Sequence, residues 1–170
     1  MKLNVIVAFE ASRQGIGFEN KIPWYFPEDL KNFSKVTKGE GNNAIIMGRK
    51  TWESLPKKPL PKRQNIILTR SLDNITLYDN ELYFSNINCA IDHCEKQNFA
   101  EVWIIGGTEV YRNALYNLSI DELHVTEIQK EYECDVFFPD IPRGFICQDE
   151  RTEIYNDVIV SYKIFKRDSS

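Results

Sequence analysis

Eight short runs of β-branched and aliphatic residues, most of them separated by stretches with helical spacing, constrain the fold more than any other feature of this chain. The runs are Leu3–Phe9, Asn43–Met47, Asn65–Thr69, Leu82–Phe84, Val102–Ile105, Leu123–Ile128, Glu150–Tyr155 and Val158–Phe165. Helical stretches fall at Pro27–Val36, Thr51–Leu55, Cys89–Gln97 and Thr108–Leu115. Parallel strands need crossover connections, so this alternation predicts an α/β fold: a mixed, mainly parallel eight-stranded sheet with flanking helices. Asn156-Asp157, lying between alternating apolar positions, predicts a C-terminal antiparallel hairpin at its edge. A chain of 170 residues is enough for one core, so a single domain over residues 1–170 is expected, with no room for a second catalytic domain.

Several function classes are disfavoured at once. No apolar run approaches membrane-spanning length, and Met1–Phe9 alternates and is too short for a signal peptide, reading better as a first strand. Cys89, Cys94, Cys134 and Cys147 show neither a C-x-x-C pair nor histidines at zinc spacing, so no metal is expected and reduced thiols of a cytoplasmic protein are the simpler reading. His93 and His124 lack a nucleophile elbow to serve, and read as structural or exposed histidines. The net charge of −4 argues against nucleic acid as a partner. Between Arg49 and Arg70, however, seven basic residues face the single acid Glu53, leaving −10 for the rest of the chain. Such a stretch suits phosphates or carboxylates, or is simply a solvated basic loop.

Proton chemistry is suggested by Asp29. Pro27 can open a helix whose 100° spacing puts Asp29, Leu30, Phe33 and Val36 on one face, with Glu28, Lys31, Asn32 and Lys35 on the other. A carboxylate on an apolar stripe is desolvated unless paired, which raises its pKa and marks a candidate site. The alternative is an ordinary first-turn acid that satisfies free N–H groups and the helix dipole.

Two strand-to-helix turns suggest an anion with several phosphates. Val102-Trp-Ile-Ile-Gly-Gly-Thr-Glu-Val-Tyr111 runs from a buried strand through Gly106-Gly107 into a helix, and Ala44-Ile-Ile-Met47 leads through Gly48-Arg-Lys-Thr51 into another. Glycines let the backbone approach a phosphate while free N–H groups and the helix dipole face it. Neither is the G-x-G-x-x-G fingerprint, and a tight turn with no ligand is the plain alternative. The long Glu10–Pro23 loop, with Gly15-Ile-Gly17, is a lid candidate, and Lys57–Arg63 is a proline-stiffened basic loop.

Taken together, Gly15-Ile-Gly17, Ile22-Pro-Trp24, Pro27-x-Asp29-Leu-x-x-Phe33, Ile46-Met-Gly-Arg-Lys-Thr-Trp52, Pro61-x-Arg63 with Asn65-Ile-Ile-Leu68, Ile105-Gly-Gly107 with Val110-Tyr111, and Asp135-x-Phe-Phe-Pro139 resemble dihydrofolate reductase in order and spacing. The resemblance spans nearly the whole chain. It implies a stand-alone enzyme in which NADPH reduces 7,8-dihydrofolate to tetrahydrofolate for one-carbon and thymidylate metabolism. It also implies sensitivity to antifolate inhibitors and a monomeric state.

By the same resemblance, Asp29 binds the pterin and promotes protonation of N5 through water, Trp24 orders that water, and Thr126 supports Asp29. Val7, Ala8, Leu30, Phe33, Leu55 and Ile105 would line the pterin and benzoyl pocket, and Arg63 would bind the glutamate α-carboxylate. Ala8, Ile16, Gly17, Gly48, Arg49, Lys50, Thr51, Leu68, Thr69, Arg70, Ile105, Gly106, Gly107, Thr108, Val110 and Tyr111 would contact the cofactor. Of these, Arg49 and Arg70 are the residues expected at the 2′-phosphate, and the Gly106–Gly107 peptide is expected to be cis. Glu109 and Val136 depart from the pattern, which commonly carries arginine and threonine there, and Val136 bears on bonds between lid and loop. The rival readings are a riboflavin-pathway pyrimidine reductase of the same fold, which lacks the Trp24 and Asp29 features, and a non-catalytic folate or nucleotide binder.

Overall fold

The computed structural model describes residues 1–71 and 81–168. Its main sheet has eight strands: β1 (Lys2–Glu10), β3 (Asn43–Gly48), β4 (Gln64–Leu68), β5 (Glu81–Phe84), β6 (Glu101–Ile104), β7 (Glu122–Ile128), β9 (Phe145–Tyr155) and β10 (Val158–Arg167). Their spatial order is β5-β4-β3-β6-β1-β7-β10-β9, parallel from β5 to β7 and antiparallel at the last two pairings. The predicted mixed sheet and terminal hairpin are therefore present. Asn156 and Asp157 both take positive φ (52° and 65°), the conformation a tight two-residue hairpin demands.

Helices α1 (Pro27–Lys38), α2 (Arg49–Ser54), α3 (Ile87–Lys96) and α4 (Thr108–Asn117) connect the parallel strands. Two differences from the expected boundaries matter. Helix α2 begins at Arg49, directly behind Gly48, and not at Thr51, so the basic pair lies in its first turn. Part of the Glu10–Pro23 segment is also not loop: Gly15–Gly17 forms β2, paired antiparallel with β8 (Val136–Phe137) in a separate small sheet. Strands this short carry no periodicity that a sequence pattern could reveal.

Alternation along β1 divides the core. Val5, Val7 and Phe9 pack with Ile104, Tyr111, Leu115 and Val125 on one face. Ile6 packs on the other face with Ile45, Met47, Trp52, Ile67 and Trp103, against which Phe33, Val36, Leu55 and Ile105 rest. A third cluster joins Phe26, Ile128, Val160 and Tyr162 to Trp24 and Tyr132 at the antiparallel end. Helix α1 thus lies on the Ile6 face.

Candidate functional site

Asp29 sits in the first turn of α1, yet it does not cap it. The N-cap residue Phe26 makes no side-chain cap bond, and the Asp29 carboxylate is engaged elsewhere: the hydroxyl of Thr126 on β7 donates to Asp29 Oδ1 at 3.0 Å. Thr126 is buried, and Asp29 is half-buried. Burial raises the carboxyl above its ordinary range, while hydrogen bonding from Thr126 and Tyr162 and the charge of Arg151 pull the other way, leaving a net rise. The first-turn capping alternative is not what the geometry shows.

Tyr162 and Arg151 complete this corner and were not anticipated from sequence. Thr126, Tyr162 and Arg151 are successive cross-strand partners on β7, β10 and β9. The Arg151 guanidinium lies 3.9 Å from the Tyr162 ring centroid and donates to Asn32 Oδ1 at 3.3 Å, while the hydroxyls of Tyr162 and Tyr155 are 3.2 Å apart. Asn32 therefore lines a small cavity of about 140 Å³ with Val36, Thr126, Arg151 and Tyr162, and is not an outward-facing residue as its helical position suggested. Trp24 packs on Tyr132, ring centroids 5.4 Å apart, in the cluster that holds Tyr162.

The apolar residues separate by face. Ala8 is the register partner of Thr126, and Phe33, Leu55 and Ile105 flank Ile6 on the α1 side. Leu30 is 51% exposed, so the polar helix face does not hold all the exposure. Val7, expected in the pocket, points its side chain into the opposite core, so only its main chain can face the α1 side. Ile6 faces the α1 side instead, because alternation reverses the face at each residue.

Arg63 is 4% exposed, far from the solvated loop residue that composition suggested. Its Nε donates to Pro61 O at 2.9 Å and its Nη1 to Thr37 Oγ1 at 2.9 Å. Thr37 in turn donates to Phe33 O at 2.8 Å, so α1 itself positions the guanidinium. Among the described residues Arg63 forms no ion pair, and burial lowers its pKa. A buried guanidinium held on one edge without a counter-charge is suited to an anionic ligand.

The two glycine turns converge. Gly48 N–H donates to Gly106 O at 2.8 Å, linking the start of α2 to the turn before α4. A Cβ on Gly48 would lie 3.3 Å from Val110 Cγ2 and 3.8 Å from Gly107 N, and one on Gly106 would lie 3.4 Å from Thr51 Oγ1. Gly106 has φ 128°, and the Gly106–Gly107 peptide is cis, as expected. Bare backbone at two adjacent helix starts forms a cradle that side chains would fill.

Around this cradle Lys50 is exposed, Arg49 is exposed and paired with Glu53 at 2.9 Å, and Arg70 is exposed beyond the end of β4. Leu68 is half-buried, and Thr69 is buried with its hydroxyl 3.2 Å from Ser71 O. Thr108 spends its hydroxyl on Phe137 O (3.1 Å), and Tyr111 donates to Ile6 O or Ile105 O, both at 2.8 Å. Burial pushes the Tyr111 hydroxyl well up, so it stays neutral. Glu109 is exposed in the first turn of α4.

In the Glu10–Pro23 segment, Asp135 N–H donates to Gly17 O at 2.9 Å and Asp135 Oδ2 accepts from Glu19 N–H at 3.0 Å. Val136 therefore does not break these contacts: they use the Asp135 backbone and carboxylate, and Val136 itself pairs with Gly17. Ile16 is half-buried against the main core.

The family model for dihydrofolate reductase matches residues 2–167. The chain belongs to the dihydrofolate reductase family. It is 38% identical over 152 residues to dihydrofolate reductase of Drosophila melanogaster, covering 85% of this chain and 83% of that protein. The corresponding enzyme of Candida albicans is 39% identical over 143 residues, 78% of this chain and 73% of that one. A bifunctional dihydrofolate reductase-thymidylate synthase of Daucus carota is 37% identical over 147 residues, 79% of this chain but 28% of that protein.

Dihydrofolate reductase membership carries oxidoreductase chemistry on dihydrofolate with a nicotinamide cofactor, and the residues present fit such a group. The Gly48 and Gly106–Gly107 cradle offers backbone to a pyrophosphate, and basic side chains stand at its rim. Among the described residues no cluster of His, Cys, Asp and Glu is arranged to hold a metal, and no helix is long and apolar enough to cross a membrane.

Proposed function

We propose that the protein reduces 7,8-dihydrofolate at N5 and C6 to tetrahydrofolate, with NADPH as the reductant, as a single-domain monomer of the cytoplasm. The observation that carries the residue assignment is the Asp29 carboxylate, half-buried, raised in pKa and tied to Thr126 instead of to its own helix N-terminus. A bound nicotinamide cofactor would supply the reducing equivalent as hydride.

This chain's own residues do the rest. Asp29 accepts hydrogen bonds from the 2-amino group and N3 of the pterin and favours a proton at N5, through a water ordered by Trp24. Thr126 fixes the carboxylate's orientation. Ala8, Leu30, Phe33, Leu55 and Ile105, with the main chain at Val7, line the pterin and benzoyl pocket and exclude water. Arg63 holds the α-carboxylate of the glutamate tail.

On the cofactor side, Gly48 offers its bare Cα while N–H groups of Arg49, Lys50, Thr51, Gly106, Gly107 and Thr108 face the phosphates, with Val110 and Tyr111 behind them. Leu68, Thr69 and Arg70 flank the adenosine half, and Arg49 and Arg70 meet the 2′-phosphate. Ala8, Ile16, Gly17 and Ile105 bound the nicotinamide, with Ile16-Gly17 as part of the lid.

The test is loss of NADPH absorbance with dihydrofolate, run beside NADH, beside folate, and beside the pyrimidine substrate of the riboflavin-pathway reductase. Turnover restricted to the pyrimidine, or binding of dihydrofolate without turnover, would overturn the reading. Inhibition by a diaminopyrimidine antifolate is expected, because its protonated ring would pair with Asp29.

A further inference from the structure

β1 ends on a residue that the reaction does not use. Glu10 has no exposed surface, and among the described residues it forms no ion pair. Its carboxylate is instead enclosed by the segment that follows it. Oε1 accepts from Arg13 N–H and Gly15 N–H, both at 2.9 Å, and Oε2 accepts from Ser12 N–H at 3.2 Å and from the Ser12 hydroxyl. The Glu10 carbonyl also accepts from Gln14 N–H at 3.0 Å.

A buried anion without a cation persists only where hydrogen bonds replace water, and charge-assisted bonds of this kind are the strong ones. All of these donors belong to residues 12–15. The carboxylate therefore holds together one turn, and that turn delivers the chain to Gly15–Gly17. From there the positioning continues outward: Phe138 N–H donates to Gln14 O at 2.8 Å, β2 pairs with β8, and Thr108 ties Phe137 to the first turn of α4. Glu10 is thus the inner anchor, and Asp135 the outer one, of a strap lying beside the glycine cradle.

We propose that Glu10 is a positioning residue for the reaction: its carboxylate fixes residues 12–15 so that Ile16-Gly17 closes over the bound cofactor. This rests on the reading of that segment as the lid. A neutral amide of the same size cannot replace the carboxylate, because its NH2 group would face the Ser12 donor with a donor of its own.

The experiment uses Glu10→Gln, Ser12→Ala and, at the other anchor, Asp135→Asn. Amide hydrogen exchange is read in the ligand-free protein, and NADPH release is read by stopped-flow fluorescence. In Glu10→Gln, amides of Ser12, Arg13 and Gly15 should exchange on the order of tenfold faster, with those of β7 unchanged, and NADPH should leave about threefold faster or more. Ser12→Ala, an exposed position that leaves the buried carboxylate in place, should change both in the same direction by less, and serves if Glu10→Gln does not fold.

Unaltered exchange at residues 12–15 overturns the proposal. So does exchange rising equally through β1 and β7, which marks a merely structural residue. If Asp135→Asn speeds NADPH release while Glu10→Gln and Ser12→Ala do not, Glu10 is not the anchor and the lid reading stands. If none of the three alters release, the lid reading itself falls.

Discussion

The Thr126 hydroxyl and the Asp29 carboxylate, 97 residues apart in sequence, meet at 3.0 Å and tie α1 to β7. The bond gives Asp29 a donor from the sheet, so its carboxylate is oriented by β7 and is not consumed by the helix N-terminus. An acid held in this way, half-buried and with its pKa raised by burial, is available to a ligand.

Replacing Asp29 by Asn keeps the size and removes the titratable charge. Hydride transfer at pH 7, read by single-turnover NADPH absorbance, should fall by roughly 10²- to 10⁴-fold, with cofactor affinity little changed. The loss should shrink as pH falls, because solvent then protonates N5 directly. The same variant should be more heat-stable than the parent at pH 7. A folded-state pKa raised by burial means that ionised Asp29 costs stability increasingly as pH rises through it, and the cost is absent below the unfolded value of about 3.9. The difference in melting temperature should therefore vanish at low pH. Equal hydride transfer at pH 7 would remove Asp29 from the chemistry.

Tyr162→Phe tests the corner from the other side. The Tyr162 hydroxyl favours the ionised form of Asp29, so its removal should raise the carboxyl further and move the acid limb of the pH profile of kcat/KM to higher pH. A profile that falls in height without moving would show that Tyr162 contributes packing alone.

How much of this was legible in the sequence depended on the range of the interaction. The strands, α1 and the glycine turns announce themselves through local spacing. Val7 enters the pocket by resemblance alone, whereas the alternation of β1, with Leu3, Val5, Val7 and Phe9 on one face and Asn4, Ile6, Ala8 and Glu10 on the other, already assigns its side chain to the core. Arg63 looked like a loop cation because its burial depends on Thr37, in a helix far away in sequence. Tyr162 and Arg151 join Asp29 only through the registers of β7, β10 and β9, which no local pattern encodes. Glu10 is the exception: an acid ending an apolar strand, with Ser12 two residues on, was a local signal, and its meaning needed only the turn geometry.

Arg63→Lys retains the charge and loses the planar fork. With Nε and Nη1 already committed to Pro61 and Thr37, a lysine cannot both keep those bonds and meet a carboxylate. KM for dihydrofolate should rise by roughly 10- to 100-fold, matching the loss of about 1.5–3 kcal/mol that a hydrogen bond to a charged group contributes, while the hydride-transfer step changes little. A pterin without the glutamate tail should be reduced equally by both proteins. Discrimination against Arg63→Lys on that truncated substrate would place Arg63 elsewhere in the mechanism.

NADPH and NADH differ only in the 2′-phosphate, so the preference between them isolates the basic residues at the rim of the cradle. Arg49 is already engaged by Glu53 at 2.9 Å, on an exposed helix surface where such a pair contributes little, whereas Arg70 forms no ion pair among the described residues. Arg70→Gln should therefore narrow the NADPH preference more than Arg49→Gln, by roughly tenfold in the ratio of dissociation constants, the scale of one charge-assisted bond. Glu53→Gln should act in the opposite sense, since it frees Arg49 and removes a nearby negative charge. Both effects should weaken as salt is raised, because the side chains are exposed and their charges are screened. Titration of each variant with the two cofactors, at low and high ionic strength, measures the ratio directly. An unchanged ratio in Arg70→Gln would move the 2′-phosphate contact to another basic residue of the 49–70 stretch.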